Sequence, residues 1–363
     1  MRPDGTGMRP LLPEFRGEKR EVSWSADGER LYFISQGELF VRESRHWLGW
    51  MRTPRPERLA GGSVRHHRAQ EDPADPRVVY SMGEVFRGES RKLNIRTGHF
   101  EPFLDGLSAD CVDFSPDGQW IAYVSFPARE LWKCRRDGSD RVLLEDRLLT
   151  YMPRWSPDSK RLAFAAVEKG IFAARHRIYT VAADGGRTES VKGVDGPAFD
   201  PNWSPDGESL VFAPLEFSAT QAKDQHVSIV DLKTGVVRMV SGSEDMFSPR
   251  WSPDGNYLVA IRYKQTQPAI HDFASERWAD VDATLFGFPM WSKDSKSVYG
   301  LLQSQSRLVR IAVATRRIEE IRSVKEFRLT GTLDSGASWT PDGEPVILVD
   351  LTSSEIYRIE VER

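Results

Sequence analysis

The sequence predicts an all-β protein made of repeated four-stranded units. A short motif, most complete in Trp251-Ser-Pro-Asp-Gly255, recurs along the whole chain. Each copy is followed by short runs rich in β-branched and aromatic residues, and apolar spacing of the helical kind is not sustained. Repeats of this kind, about 45 residues long, are typical of the blades of a β-propeller. We therefore expect a single domain over residues 1–363, an eight-bladed β-propeller of four-stranded antiparallel blades.

The motif predicts a strand end followed by a tight turn. Proline presets φ at the first inner corner, Asp accepts hydrogen bonds from nearby backbone, and Gly adopts the positive φ that closes the turn. Most of the 11 tryptophans lead a copy of the motif, and we expect these apolar anchors between blades. The repeated aspartates are then turn acceptors and not a catalytic carboxylate set. They are Asp117, Asp158, Asp206, Asp254, Asp294 and Asp342.

The blade count follows from the spacing of the leading aromatic residues, which are Trp24, Phe114, Trp155, Trp203, Trp251, Trp291 and Trp339. Successive spacings are 90, 41, 48, 48, 40 and 48 residues. Because the first gap is about twice the others, it should contain a degraded copy, and residues 64–80 occupy that place. This gives eight blades. Seven is the alternative, since the motif is weakest between Gly61 and Gly106.

The chain ends predict how the first and last blades are joined. Residues 355–360 form a third strand with no fourth after it, and residues 4–12 copy the turn and outer strand at 137–144. We expect the N-terminal strand to complete the last blade, with Leu11 and Leu12 near Ile356 and Ile359. That pairing would remove an exposed sheet edge.

Composition narrows the class of partner and the compartment. With 50 basic and 53 acidic residues the net charge is −3, which does not provide the basic face that nucleic acid requires. No apolar run has the length of a membrane span, and the first residues lack a secretory signal, so we expect a cytoplasmic protein. A periplasmic location is the alternative if the chain belongs to a longer, membrane-anchored protein. Cys111 and Cys134 fall on strands one and three of a blade, about 10 Å apart, which predicts free thiols.

Several segments resemble the TolB-like, WD-repeat-like family of β-propellers. The resemblance rests on the repeated Trp-Ser-Pro-Asp-Gly motif, on residues 111–125 with Leu131-Trp132, on residues 247–255 and on residues 327–331. More narrowly, these segments resemble the C-terminal propeller of bacterial winged-helix regulators or serine/threonine kinases. There is no room before residue 20 for either effector domain. The resemblance therefore implies a binding role and no kinase or DNA-binding activity.

Catalytic and cofactor motifs are absent from the sequence. There is no Gly-x-Ser-x-Gly elbow, no dinucleotide fingerprint, no Walker motif and no His-Glu-x-x-His. His66 and His67 are adjacent, but neighbours on a strand point to opposite faces, which disfavours a shared metal. We expect no catalytic residues, no cofactor and no metal.

Candidate ligand-binding residues lie where the chain enters the inner strands, on the face that carries the variable loops. They are Tyr151, Arg154, Asn202, Phe247 and Arg250, with Asp200, Phe286 and Phe288 beside them. Arg154 and Arg250 occupy equivalent places before a Trp and could offer a forked donor to a carboxylate. The alternative is that each packs on aromatic rings or pairs with an acidic residue between blades.

A second candidate is the insertion at residues 45–52. Trp47 and Trp50 in this loop could form a partner-docking patch, or they could fold back over the edge of the blade.

These observations favour a non-catalytic binding module that recognises a protein, peptide or small molecule on its loop face, as the sensing or scaffold part of a regulatory system. A protein or peptide partner is expected first. An enzyme, a lyase or hydrolase with Arg and His at the channel mouth, is the alternative from another class. A remnant that has lost its effector domain is the third.

Overall fold

The structure, a computed structural model, describes residues 12, 15, 19–43, 55–169, 175–214, 225–302, 306–330 and 337–361. Within these ranges nearly all regular structure is β-strand, and a 3₁₀ turn spans Leu104–Gly106. The first strands in chain order are β1 (Arg20–Trp24), β2 (Arg30–Ser35), β3 (Glu38–Glu43), β4 (Glu57–Ala60), β5 (Val64–Glu71), β6 (Val78–Val85), β7 (Gly88–Asn94) and β8 (His99–Pro102).

The middle of the chain continues the repeat. Its strands are β9 (Ala109–Phe114), β10 (Trp120–Ser125), β11 (Leu131–Arg135), β12 (Val142–Glu145), β13 (Leu148–Trp155), β14 (Arg161–Glu168), β15 (Arg177–Ala182), β16 (Glu189–Ser190), β17 (Phe199–Trp203), β18 (Ser209–Ala213), β19 (Ser228–Asp231) and β20 (Val237–Met239).

The last third has the same organisation. Its strands are β21 (Met246–Trp251), β22 (Tyr257–Arg262), β23 (Gln267–Asp272), β24 (Arg277–Asp280), β25 (Phe286–Trp291), β26 (Ser297–Leu302), β27 (Arg307–Ala312), β28 (Ile318–Ser323), β29 (Ser338–Trp339), β30 (Pro345–Asp350) and β31 (Ser353–Glu360).

The repeated turns form as the motif predicts. Ser252 Oγ donates to Asp254 Oδ1 at 2.6 Å, and the same carboxylate oxygen accepts the backbone N–H of Asn256 at 3.0 Å. Gly255 closes the turn with φ at +80°. Equivalent Ser–Asp pairs stand in five other turns of the described chain. The predicted role as turn acceptor is confirmed for Asp117, Asp158, Asp206, Asp254 and Asp294, whereas Asp342 pairs with Arg136 at 3.4 Å.

Two of the turns replace the glycine by serine. Ser159 and Ser295 adopt the same left-handed backbone, with φ at +59° and +58°. Each hydroxyl accepts the backbone N–H of the Asp in the preceding turn, Asp117 for Ser159 and Asp254 for Ser295, both at 3.1 Å. The hydrogen bond to the neighbouring sheet offsets the cost of an L-residue in this conformation.

The described strands form eight antiparallel sheets, seven with four strands and one with three. Numbered here, they are sheet 1 (β1–β4), sheet 2 (β5, β6, β31), sheet 3 (β9–β12), sheet 4 (β13–β16), sheet 5 (β17–β20), sheet 6 (β21–β24), sheet 7 (β25–β28) and sheet 8 (β29, β30, β7, β8). The predicted class, an all-β propeller with eight antiparallel sheets, is confirmed. The sequence predicts one domain, and the sheets fall into two compact units.

The larger unit, Gly88–Asp350, contains sheets 3 to 8, and each sheet packs on the next through an apolar cluster. Sheet 7 packs on sheet 8 through Leu301, Leu308, Trp339 and Ile347. Sheet 8 in turn packs on sheet 3, where Val346 contacts the cluster around Ile121. Within this unit the succession of six sheets therefore closes on itself, and the first strand of each lines the centre.

The smaller unit comprises residues up to Arg87 and from Leu351. Sheets 1 and 2 pack on each other around Tyr32, Leu39, Val79 and Val361. The hydroxyl of Tyr32 donates to Glu71 at 3.1 Å within this core. The unit thus has an apolar core of its own.

The joining of the chain ends differs from the N-terminal strand that the sequence predicts. Residues 1–11 lie outside the described part, and Leu12 is buried against Leu31 and Phe33 of sheet 1. The last sheet is completed instead by β7 and β8, since Leu348 of β30 pairs with Ser90. Strand β31 leaves that sheet and pairs with β6 in sheet 2. The repeats at residues 64–102 and 338–360 have therefore exchanged their outer halves.

The strand exchange predicts a specific cross-link. Tyr80 and Arg358 are directly opposite each other on β6 and β31, at the spacing that a disulfide requires. In the double variant Tyr80→Cys, Arg358→Cys we expect a disulfide under mild oxidation, identified by peptide mapping. The pair Tyr80→Cys, Glu355→Cys is the control, because Glu355 is opposite Gly83. Cross-linking in the control but not in the test pair would refute this register.

The turn network predicts a stability loss without loss of the fold. Asp254→Ala removes the acceptor for Ser252 and Asn256 and should lower the free energy of unfolding by about 1–2 kcal/mol in urea denaturation. Lys293→Ala, an exposed residue of the next turn, is the control. Equal stability of Asp254→Ala and the unchanged protein would contradict the assigned role of the carboxylate.

Candidate functional site

The inner strands of the larger unit carry a β-bulge at the same position in successive sheets. In sheets 3 to 6 the register shifts three residues before the leading aromatic residue. The residues there are Cys111, Met152, Asp200 and Ser248, and all have φ between +49° and +56°. A positive φ at four non-glycine residues in equivalent places marks a strained position that the packing enforces.

The residue just before the aromatic anchor links one sheet to the next. Asp113 Oδ2 accepts the backbone N–H of Trp155, and Asn202 Oδ1 accepts that of Trp251, both at 2.8 Å. Where arginine occupies this position, its backbone carbonyl accepts an indole N–H of the following sheet. Trp203 donates to Arg154 at 3.0 Å, and Trp291 donates to Arg250 at 2.9 Å.

Arg250 is the best-paired charge of the channel. Its Nη2 lies 2.6 Å from Asp200 Oδ1, its Nη1 donates to the carbonyl of Pro249 at 2.8 Å, and the side chain is 2% exposed. Ser248 donates to the other oxygen of Asp200 at 2.7 Å. Burial lowers the pKa of Arg250 to about 10 against the attraction of Asp200, so the guanidinium stays charged at neutral pH.

Arg154 has the equivalent place in sheet 4 but a different partner. It is buried, its Nη1 donates to the carbonyl of Pro153 at 3.1 Å, and the nearest oxygen of Asp113 is 3.9 Å away. Its Nε has no hydrogen-bond acceptor among the described residues. Burial raises the pKa of Asp113 despite the nearby Arg154.

Both arginines are thus buried and lie near a carboxylate of the preceding sheet. Of the two interpretations that the sequence left open, the geometry fits pairing and packing between sheets for Arg250. The forked donor to an external carboxylate stays a prediction, and it would require the inner strands to move.

The described inner strands enclose a small cavity. A cavity of about 10 Å³, room for one water-sized sphere, lies between Cys111, Met152, Phe288 and Met290, with Arg154 in its wall. Larger grooves of about 320 and 350 Å³ lie beside sheets 6 and 7, away from the channel.

An aromatic cluster occupies the mouth end, where the inner strands begin. The rings of Tyr151 and His176 are 5.1 Å apart, His176 and Phe199 are 4.8 Å apart, and Phe288 lies 6.4 Å from Phe199. Tyr151, His176 and Phe288 are half-buried, so their outer parts reach the surface. Burial lowers the pKa of His176 to about 4, which keeps its imidazole neutral at pH 7.

A cation adjoins this cluster. The guanidinium of Arg129 lies 4.8 Å from the centre of the Tyr151 ring, and its Nη1 is 3.2 Å from Asp110 Oδ2. Asp110 is buried, and burial raises the pKa of its carboxyl. The mouth end thus presents aromatic surface, a neutral imidazole and a paired guanidinium within one area.

The other predicted site residues are more scattered. Asn202 is engaged with Trp251, and Phe247 packs edge-on against Tyr263 at 5.9 Å. The side chain of Phe286 and the residues Trp47 and Trp50 lie outside the described part of the chain. The structure therefore brings Tyr151 together with Phe288, whereas the side chain of Asn202 forms a hydrogen bond that links sheets 5 and 6.

The adjacent histidines belong to the smaller unit and have separate partners. His66 Nδ1 is 2.9 Å from Ser81 Oγ, and His67 Nε2 is 2.8 Å from Glu84. Among the described residues no group of three or more His, Cys, Asp or Glu side chains could hold a metal ion. Cys111 and Cys134 are buried and are not joined by a disulfide, as predicted.

Comparison with solved structures identifies the fold. A TolB protein of Agrobacterium tumefaciens matches 73% of this chain and 99% of its own, with 20% identity and a TM-score of 0.58. The fold is a TolB-like β-propeller. No family model and no curated protein matches the sequence.

Two further neighbours of this TolB-like fold are enzymes by name. An oligogalacturonate lyase of Vibrio parahaemolyticus matches 96% of this chain and 99% of its own, with 14% identity and a TM-score of 0.51. An oligogalacturonate lyase in complex with manganese matches 96% and 98%, with 13% identity and the same TM-score. At these identities the likeness is one of fold.

His176 and Arg129 were missed by the sequence reasoning. Both lie at the ends of loops between a second and a third strand, and of these two loops the sequence marks only the one at residues 167–176 as variable. The only available signal was Tyr151, because an aromatic residue at the start of an inner strand needs neighbours to cover it. Within the described ranges no helix has the length and apolar character of a membrane span.

The buried imidazole predicts a pH-dependent stability. The pKa of His176 is about 4 in the fold and about 6.5 in the unfolded chain, so the unfolded chain binds more protons between these values. Stability contributed by the neutral ring is complete above pH 6.5 and is lost as the pH falls to 4, a change of about 3 kcal/mol. In His176→Phe we expect urea denaturation to show a smaller loss over this range. His99→Gln, an exposed site, should keep the full loss.

Proposed function

We propose that this TolB-like chain is a non-catalytic binding module that recognises a protein or peptide partner at the mouth end of its larger unit. The observation that carries the proposal is the half-buried cluster of Tyr151, His176 and Phe288, in which Tyr151 and Phe288 lie on inner strands and His176 directly precedes β15. Aromatic side chains of this kind offer large contact area at low entropic cost and dominate binding energy at interfaces.

The geometry favours a surface partner over a ligand held deep in the channel. The channel leaves room for about one water-sized species, and both of its arginines are buried. The loops at the mouth are carried by a frame of six packed sheets, the usual arrangement for recognition. A small molecule in this role would lie flat on the aromatic cluster.

A wider regulatory role is part of the same proposal. The segments that resemble the propellers of winged-helix regulators and kinases suggest a sensing or scaffold part, to which the mouth would recruit a partner. The named TolB neighbour supports the fold on which this role rests.

A selected-peptide experiment tests the proposal. Peptides from a displayed random library should bind the full chain, and Tyr151→Ala or Phe288→Ala should weaken that binding by about tenfold, or 1.4 kcal/mol. Tyr257→Ala is the matched control, because this half-buried Tyr stacks 6.2 Å from Trp291 at the opposite, turn end. Binding that survives both mouth substitutions, or that Tyr257→Ala abolishes, would contradict the proposal.

An enzyme at the same mouth is the second candidate. Its specific support is the meeting of His176, Tyr151 and Arg129, a proton acceptor, a hydroxyl and a cation, in a fold shared with oligogalacturonate lyases. Incubation of the full chain with oligogalacturonate, with and without manganese, tests it through the absorbance of the unsaturated product. Turnover that His176→Phe removes would replace the binding proposal by the enzymatic one.

A further inference from the structure

Sheet 2 differs from the other sheets at its outer edge. The other seven sheets have a fourth strand there, whereas sheet 2 ends at β31, which pairs with β6 and with no other described strand. With eight residues, β31 is also longer than the outermost strands of those seven sheets, which have two to six. An unpaired strand of this length is a template for another strand.

The hydrogen bonds around β31 show which of its residues face the free edge. The strand pairs with β6 in an unbroken register. Just outside its two ends, the N–H of Leu351 donates to the carbonyl of Arg87 at 2.9 Å, and the N–H of Val361 donates to that of Arg77 at 2.8 Å. Because bonding alternates along an antiparallel strand, the odd-numbered residues between them bond to β6. The even-numbered residues therefore direct their N–H and C=O groups to the free edge. These residues are Ser354, Ile356, Arg358 and Glu360.

The outer face beside this edge is apolar at its centre. Ile356 is 76% exposed and lies opposite Met82, which is 47% exposed. The odd-numbered residues turn to the other face, where Tyr357 packs on His66 and Ile359 joins the core shared with sheet 1. An apolar side chain of an added strand would cover Ile356 from the side that β6 leaves open.

Two charges follow Ile356 on the same face. Arg358 and Glu360 are 53% and 73% exposed, and they bond to each other at 2.5 Å. An exposed pair of this kind contributes little stability, so each charge can take a second partner across the edge. Two copies of the chain, paired antiparallel through all four edge residues, would place Arg358 opposite Ile356 and leave both charges unmatched. The charge pattern therefore favours a different strand over a second copy.

We propose that β31 binds an extended segment of a partner protein as the fourth strand of sheet 2. The segment runs antiparallel to β31 and has the alternation basic-x-acidic-x-apolar, so that these residues lie opposite Glu360, Arg358 and Ile356. Backbone hydrogen bonds supply the affinity in this mode of recognition, and the alternate side chains select the partner. The edge belongs to the smaller unit, and the proposal does not depend on the binding proposed for the mouth of the larger unit.

A synthetic peptide tests the site. Fluorescein-labelled Lys-Thr-Glu-Thr-Val-Thr-Thr is titrated with the full chain, and we expect saturable binding in fluorescence anisotropy. N-methylation at Glu and Val blocks backbone groups that face β31 in this register and should abolish binding. N-methylation at the first two Thr residues alters groups that face away from β31 and should preserve binding.

Substitutions in β31 test the same register from the protein. Ile356→Pro removes an N–H that faces the free edge and none that bonds β6, so the fold should persist while peptide binding is lost. The double variant Arg358→Glu, Glu360→Lys should weaken binding of the peptide about fivefold and should prefer a peptide with Lys and Glu exchanged. Arg238→Glu, an exposed residue on the outermost strand of sheet 5, is the control and should keep the affinity.

The methylated peptides and the charge exchange keep the proposal falsifiable if Ile356→Pro does not fold. The absence of saturable binding, equal affinity for the two methylated peptides, or an unchanged preference in the double variant would each overturn it. Sedimentation of the full chain examines the other occupant. A dimer that Ile356→Pro dissociates would assign the edge to a second copy and refute the proposed segment.

Discussion

The larger unit depends on the hydrogen bonds that link each inner strand to the following sheet. The residue before the aromatic anchor forms this link in two chemical ways. A side-chain oxygen of Asp113 or Asn202 accepts a backbone N–H of the following sheet, and a backbone carbonyl of Arg154 or Arg250 accepts an indole N–H. Each bond contributes about 1 kcal/mol, whereas the apolar clusters between sheets contribute most of the stability. The polar bonds matter because they fix the register at which those clusters meet.

The exchange of strands sets a second constraint. Sheet 8 combines β29 and β30 with β7 and β8, so the unit closes only when segments more than two hundred residues apart have paired. Such pairing loses chain entropy through loop closure before it gains contacts, and it is therefore a late step in folding. Sheets 3 to 7 consist of consecutive strands and form from local hairpins. The smaller unit requires the same late event, because β31 reaches β6 from the far end of the chain.

Much of this architecture is predictable from the sequence, because the residues of the turn motif determine the geometry of the turn. The Ser–Asp–Gly hydrogen bonds, the four strands per repeat and the hidden copy at residues 64–80 all follow from local chemistry. The exchange between repeats does not, because it pairs strands far apart in the chain, and a local motif does not specify such distant partners. Tyr151 could be named as a candidate site residue because its position in the repeat is regular. His176 was not found, because it stands in a loop whose length and composition follow no repeat.

The two channel arginines are paired differently, and the local sequence around them does not predict this difference. They occupy the same place in successive copies of one motif, and the sequence gives no reason to separate them. What separates them is the bulge residue of the preceding sheet. Sheet 5 places Asp200 there, within 2.6 Å of Arg250, whereas sheet 3 places Cys111 there, beside Arg154. Arg250 therefore has a close ion pair, whereas the oxygen of Asp113 that pairs with Arg154 is 3.9 Å away. The cavity lies beside Arg154, between Cys111, Met290 and Ala337, so the longer of the two ion pairs adjoins a gap in the packing.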